Sequence, residues 1–396
     1  MTKARIFIST GEVSGDLQGS LLVTALWRQA EQMGLDLEIL AIGGDRMAQA
    51  GATMLGNTSS IGSIGIFESL PYVLPIVRMQ RRANRYLADH MPDVVVMIDY
   101  GSPNLRLGTY IRKHLPQMPT VYYIAPQEWV WSLSSRVTQQ VVKVSDRLLA
   151  VFAEEARYYA HWGGNTTYVG HPLIDRMQAA PSRAQARDAL GIAPDDVAIA
   201  LVPASRHQEL KYLVPVMFQA ARQIQAKLPQ ARFWVPLSLP EFRPALEASI
   251  RQYGLRATLV NPAESRQVLA AADLAIAKSG TVNLELTLQN VPQVVMYRVN
   301  PVTAWIAEHI LRFSIPFMSP TNLAVMEPVV PEFLQYHATA DSISQASLEL
   351  LLNPQRRQRM LDDYQRVRQA LGEPGVCDRA AQEILKMLPA RVLQPA

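Results

Sequence analysis

One cysteine, Cys377, stands in a chain of 396 residues, so neither an intrachain disulfide nor a cysteine metal cluster can form. That scarcity fits a reducing compartment. No stretch reaches the roughly 18 apolar residues that a spanning helix needs. The most apolar region, Ile61–Val77, is interrupted by Gly62, Gly65, Glu68, Pro71 and Pro75, so any membrane contact is expected from one side. Met1–Arg5 leads straight into a strand pattern, with no signal-peptide core. Charge of one sign is also scarce: 38 Lys and Arg against 34 Asp and Glu leave a net +4. This balance allows an anionic substrate or an anionic membrane surface without demanding nucleic acid. Repeats, low-complexity tracts, metal-ligand spacings and a Ser/His/Asp order are missing, and the seven histidines are scattered.

What remains is an ordinary globular composition, 49% apolar and 18% charged, long enough for two domains with full cores. The chain is organised around Leu274–Glu285, LAIAKSGTVNLE. It reads as a buried parallel strand, a turn Ser279-Gly280-Thr281, and a helix from Val282. First-turn amides of a helix lack intrahelical partners and sit at the positive end of its dipole, so small residues there let an anion approach. Glu285, one turn in, is placed to accept hydrogen bonds from a sugar diol. The alternative is a plain strand–helix turn with a solvent-facing Glu.

The first half repeats the pattern. Arg5–Ser9 reads as a strand, Thr10–Gly15 as a turn, and Asp16–Ala30 as a helix with one apolar face. Glu12 and Asp16 fall at the carboxyl end of that strand, where open α/β sheets bind ligands; Asp16 also suits a helix N-terminus. Leu37–Ile42 and Val94–Ile98 follow as strands. The second runs into Asp99, a general-base candidate or a turn-forming residue. Pro119–Ile124 precedes Trp129 and Trp131, which either wall a sugar or acyl site or pack as ordinary aromatics. Arg147–Phe152 and Thr167–Val169 complete this half. Arg78, Arg81, Arg82 and Arg85 form a solvated basic face or a cationic rim beside lipid.

In the second half, Val197–Val202, Arg232–Leu237, Ala257–Val260 and Pro292–Tyr297 read as strands, while Met318–Asn322 and Pro328–Phe333 read as loop. Arg206 follows the first of these strands, placed for a bidentate grip on a diphosphate or for a surface ion pair with Glu209. Alternating strands and helices in two runs predict an α/β protein of two doubly wound Rossmann-like domains facing a cleft, the default site. The boundaries expected are 1–176, 177–355, and closing helices over 356–396.

The motifs together resemble the lipid-A-disaccharide synthases, glycosyltransferases of the two-Rossmann GT-B type. Carrying the resemblance through most of the chain are Gly11-Glu12-Val13-Ser14-Gly15-Asp16, Ile64-Gly65-Ile66-Phe67-Glu68, Ile98-Asp99, Pro126 with Trp129 and Trp131, Val169-Gly170-His171-Pro172, Pro203 with Ser205-Arg206 and Glu209, Ser279-Gly280-Thr281 with Leu284-Glu285, and Tyr297-Arg298 with Pro301. The resemblance implies transfer of the sugar of UDP-2,3-diacylglucosamine to the 6-hydroxyl of 2,3-diacylglucosamine 1-phosphate, with inversion, in lipid A biosynthesis. It implies Asp99 as base, with Glu12 positioning the acceptor. Arg206 and Ser279–Thr281 would hold the diphosphate, Glu285 the ribose, and Asn322 would line the cleft. Ser14, Asp16, Glu68, Trp129 and Trp131 would form the acceptor and acyl region. No metal or other cofactor is implied. A peripheral position on the cytoplasmic face of the plasma membrane and a homodimer are. Tyr100-Gly101-Ser102-Pro103 stands where the family commonly has A-P-D-F, and Ala204 replaces a usual glycine. Ser132 stands in place of a basic residue, and Val325-Met326 replaces a usual Gly-Arg. An epimerase acting on UDP-N-acetylglucosamine and a non-catalytic binding paralogue are the rival readings.

Overall fold

The computed structural model describes residues 3–58, 73–132, 134–310 and 314–390. The chain divides into two compact units, Met1–Asp175 with Leu371–Ala396, and Arg176–Ala370.

The first unit is built on a seven-stranded sheet. Its strands are β1 (Ala4–Ser9), β2 (Leu37–Gly43), β3 (Thr53–Asn57), β4 (Val94–Ile98), β5 (Thr120–Tyr123), β6 (Arg147–Ala150) and β7 (Thr166–Tyr168). They are all parallel, in the order β3-β2-β1-β4-β5-β6-β7. The run Val94–Ile98 is buried at every position, as a strand covered on both faces must be. Phe7, Val95, Met97, Tyr122 and Leu148 from the strands pack with Leu107, Ile111 and Val141 from the helices Gly101–His114 and Ser135–Val144. Helix Val73–His90 turns Ala83 and Leu87 into this core and leaves Arg78, Arg81, Arg82 and Arg85 outward.

The second unit repeats the architecture with β8 (Val197–Val202), β9 (Ala231–Pro236), β10 (Ala257–Val260), β11 (Leu274–Lys278), β12 (Gln293–Tyr297) and β13 (Glu332–Leu334). The parallel order is β10-β9-β8-β11-β12-β13. Both sheets are therefore doubly wound, as expected, and each reverses direction once, between β1 and β4 and between β8 and β11. Loops at the carboxyl ends of those strand pairs border the crevice where such sheets bind ligands.

Two strands were not foreseen. β3 and β13 are edge strands whose side chains are half-exposed, so neither carries an apolar run. Pro328–Phe333, read as loop, supplies part of β13, and Pro320–Val325 forms a short helix that overlaps the other expected loop and runs past it. Pro301–Trp305 is helical and continues as a π-turn over Ile306–Ile310. The closing helices do not stay together. Helix Pro354–Leu371 lies almost wholly in the second unit, whereas Val376–Leu385 returns to the first. There Asp378 Oδ1 accepts from Arg28 Nη2 at 2.6 Å and Gln29 Nε2 at 3.0 Å, and the Asp175 carboxylate accepts from the amides of Gly375, Val376 and Cys377.

Candidate functional site

At the β1/β4 reversal a single buried side chain ties the two strand ends. Asn104 Nδ2 donates to the carbonyls of Ser9 (3.2 Å), Ile98 (3.1 Å) and Asp99 (2.9 Å), while its Oδ1 accepts from Ser9 Oγ at 2.7 Å. Tyr122 adds a hydroxyl donated to the Asp99 carbonyl at 2.9 Å. Held this way, Asp99 and Tyr100 adopt left-handed backbone with φ of 46° and 53°. That conformation costs a non-glycine residue on the order of 1 kcal/mol or more, and such residues cluster at functional sites. Asp99 is half-buried, and its charge is felt at the buried Tyr122 phenol and at Glu155. The Tyr100 ring lies over Gly11, where an added Cβ would come within 2.2 Å of it. The altered loop after Asp99 is thus accommodated by the glycine turn after β1.

The turn's acidic residues have separate fates. Glu12 opens the helix Glu12–Gln32, but its side chain lies outside the described atoms, and Glu68 lies outside the described residues. Asp16 is buried, and its carboxylate accepts from the amides of Gly44 (2.9 Å), Arg46 (3.2 Å) and Met47 (3.1 Å). It starts the neighbouring helix Asp45–Gln49, while Ser14 is exposed. Trp129 and Trp131 are half-buried. The Trp129 ring lies 5.5 Å from Phe152, which lies 5.3 Å from His171. The Trp129 indole N–H is buried with no hydrogen-bond partner among the described residues. His171 is pushed down to about 4 by burial and stays neutral at pH 7, its Nδ1 accepting from the Leu173 amide at 3.2 Å.

Behind this loop sits Glu155, which sequence reasoning passed over. It occupies the third position of helix Ala153–His161, and its Oε2 accepts from the amides of Val151 (2.8 Å) and Phe152 (3.3 Å). Burial drives its carboxyl up to about 7, against the lowering effect of these amides and that of Ala125. The Phe-Ala-Glu-Glu run at a strand–helix junction was the available signal.

At the β8/β11 reversal the same device recurs with charge added. Glu209, at the third position of helix His207–Lys227, accepts through Oε2 from the amides of Ser205 (2.6 Å) and Arg206 (3.1 Å). Its Oε1 meets Arg206 Nη1 at 3.5 Å and Lys278 Nζ at 3.3 Å. The ion pair considered as an alternative therefore exists, with Glu209 buried, Arg206 partly exposed and Lys278 as a third member. Lys278, the last residue of β11, is held below the ordinary lysine pKa by burial, with Glu209 pulling the other way. Tyr297 lies in the same field, its phenol raised by burial first and by Glu209 second.

The turn Ser279-Gly280-Thr281 is shaped from within. Ser279 Oγ donates to the Met318 carbonyl at 2.7 Å, and the Gly280 amide donates to Asn283 Oδ1 at 2.9 Å. Asn283 is wholly buried and ties back to the Lys278 carbonyl and to Gln293. Thr281 is exposed at the helix start. Glu285 does not face solvent: its Oε1 pairs with Arg176 Nη1 at 2.8 Å. Asn322, expected to line a ligand site, is fully buried. Its amide bonds Val330 on both sides and Glu332 Oε1 at 2.7 Å, which fixes the segment leading into β13.

The profile of the family described as lipid-A-disaccharide synthetase matches residues 6–387. A lipid-A-disaccharide synthase of Gloeothece citriformis is 59% identical over 96% of this chain and 99% of its own. One from Synechocystis is 52% identical over 96% and 97%. Among solved structures, the fold is similar to that of a Staphylococcus aureus MnaA–UDP complex (TM-score 0.67, 14% identity, 97% of this chain and 98% of that one). A Neisseria meningitidis UDP-GlcNAc 2-epimerase bound to UDP-GlcNAc (0.60, 11%, 98% and 99%) and the glycotransferase of kitacinnamycin (0.59, 15%, 98% and 100%) are similar too. At such identities these likenesses bear on the fold, which glycosyltransferases and epimerases share. The match over nearly the whole length, with relatives of equal length, settles the family: the chain belongs to the lipid-A-disaccharide synthetases.

Proposed function

We propose that this chain transfers the sugar of UDP-2,3-diacylglucosamine to the 6-hydroxyl of 2,3-diacylglucosamine 1-phosphate, giving a β-1,6-linked disaccharide 1-phosphate and UDP. The observation that carries the reading is the full-length match to lipid-A-disaccharide synthases. Asp99 takes the proton of the 6-hydroxyl, the oxygen attacks the anomeric carbon, and the electron pair of the breaking bond leaves with UDP. One displacement with one base inverts the centre. Support for Asp99 is its position at the β1/β4 reversal, in backbone held left-handed by Asn104 and Tyr122. A general base contributes roughly a hundred- to ten-thousandfold.

The second unit holds the donor. Arg206 takes the diphosphate beside Ser279–Thr281, and preorganised positive charge stabilises the leaving group. Glu285, braced by Arg176, takes the ribose hydroxyls. In the first unit, the unpartnered Trp129 indole N–H supports an acceptor role for the aromatic loop, with Ser14, Trp131, Glu12 and Glu68 around it. Membrane contact is one-sided. Among the described residues no helix is long and apolar enough to cross a bilayer. Val302, Trp305 and Ile310 expose apolar surface, as does Leu74, next to the outward Arg78, Arg81, Arg82 and Arg85.

The test is UDP release with and without the acceptor lipid, and the mass of the product. The expected result is release only with acceptor, together with a disaccharide 1-phosphate. Release without acceptor, or formation of a free epimer, would move the activity to epimerase or hydrolase chemistry.

A further inference from the structure

Arg176 and Glu285 meet across 109 positions of sequence, largely out of water. Helix Val282–Leu288 buries Leu284 and Leu286, so the backbone of Glu285 between them is fixed and its side chain starts from a defined point. Arg176 follows the buried Leu173 and Ile174 on the short helix Leu173–Met177. Its Nη1 donates to Glu285 Oε1 at 2.8 Å. The two side chains are only 18% and 13% exposed, whereas Arg366 and Glu327, an ordinary surface tie on this chain, are 48% and 51% exposed. The contact is also single. A guanidinium that faces a carboxylate squarely bonds both oxygens at once, but here Oε1 is engaged and Oε2 takes no part. Meanwhile Arg176 Nε is buried with no hydrogen-bond partner among the described residues. An unmet buried donor is costly, and a pair that served stability alone would close into the two-bonded form and remove that cost. Instead one carboxylate oxygen is committed and the other is left with capacity for a hydroxyl.

We propose that Arg176 is a positioning residue for ribose recognition: it fixes one oxygen of Glu285 so that the other meets a ribose hydroxyl already aimed, and the preference of the site for ribonucleotides depends on it. The proposal rests on the reading of Glu285 as the residue that takes the ribose hydroxyls. A glutamate side chain has three rotatable bonds, and ordering them at the moment of binding opposes affinity. Arg176 orders them beforehand. A hydroxyl donated to a carboxylate is among the stronger hydrogen bonds, and an analogue without the diol forfeits it. In this role Arg176 touches no part of the nucleotide. Its effect is therefore confined to molecules that carry the ribose diol.

The experiment is titration of the full-length protein with UDP and with 2′,3′-dideoxy-UDP, for the wild type, Glu285→Gln, Arg176→Met, Arg176→Gln and Arg176→Lys, with thermal melting of each. The quantity read is the ratio of the two dissociation constants. Hydrogen bonds to a charged group predict a wild-type preference for UDP of about 10- to 100-fold. Lost ordering of one side chain predicts that the preference falls about 3- to 10-fold in Arg176→Met and Arg176→Gln, through weaker UDP binding alone. Affinity for the dideoxy nucleotide should stay within about twofold of the wild type. Arg176→Lys should keep most of the preference, because a single contact is all it must replace. A wild-type ratio in either folded Arg176→Met or Arg176→Gln would overturn the proposal; equal weakening of both nucleotides gives that ratio and marks a structural role. Both variants are made so that if one fails to fold, the other decides. Preference lost in Glu285→Gln but kept in the Arg176 variants would remove only the role of Arg176, whereas a wild type that binds both nucleotides equally would remove the ribose reading of Glu285.

Discussion

Glu155 and Glu209 are the same local device in two units. Each stands third in a helix that follows a parallel strand, and each folds back to accept two consecutive amides of the strand–helix turn. Among the described residues no cation pairs with Glu155, and burial lifts its carboxyl to about 7. Around Glu209 stand Arg206 and Lys278. A carboxylate that only shapes a turn needs backbone donors. One that also meets an Arg and a Lys couples the turn to charged side chains. The difference accords with the proposed division between an acceptor half and a half that takes the charged leaving group.

The comparison extends to the reversal points. In the first unit the residues at the strand ends are tied by a neutral side chain, Asn104, and the proposed base is Asp99. Replacing Asp99 with Asn should lower acceptor-dependent turnover at least about a hundredfold, measured as disaccharide formed. Full turnover in that variant would place the base elsewhere.

Glu209→Gln should act in the opposite unit through stability. It leaves two neighbouring cations without their carboxylate, and breaking a buried pair costs about 3–5 kcal/mol. UDP should then raise the melting temperature more in the variant than in the wild type, because phosphate substitutes for the lost charge. Equal ligand-induced shifts would mean that Glu209 and the nucleotide do not share partners.

Glu155→Gln sharpens the contrast through pH. A carboxyl raised from 4.5 to about 7 in the folded state contributes stability that is fully present below pH 4.5 and lost as pH rises through 7. The shift of about 2.5 units corresponds to about 3 kcal/mol. The wild type should lose about that much stability between pH 4.5 and pH 8, relative to the variant. His171, lowered to about 4, works the other way, losing stability as pH falls below 6.5. It is common to both proteins and cancels in the difference. Parallel pH curves for the two proteins would show that Glu155 is ionised without penalty.

Much of this was legible in the sequence. The continuous apolar runs at Val94–Ile98 and Leu274–Ala277 are buried central strands, and the turns after them border the reversal points. Periodicity found these because a strand covered on both faces has no room for polar side chains. β3 and β13 escaped because edge strands are half-exposed and need no apolar run. Asp16, Glu285 and Asn322 were legible as polar residues in the right places, but their partners were not. The amides of Gly44, Arg46 and Met47, and the side chains of Arg176 and Glu332, lie 10 to 109 positions away in sequence, and only the fold brings them close. Lys278 was in view at the end of LAIAK. Its meaning came from Glu209, 69 positions earlier, across the pairing of β8 with β11.

The central claim is that charge recognition belongs to the second unit and proton removal to the first. The most direct measurement is the UDP dissociation constant of Arg206→Met and Asp99→Asn beside the wild type. The account predicts at least about tenfold weaker binding for Arg206→Met and an unchanged constant for Asp99→Asn. Weakened binding in Asp99→Asn, with Arg206→Met binding as the wild type does, would contradict it.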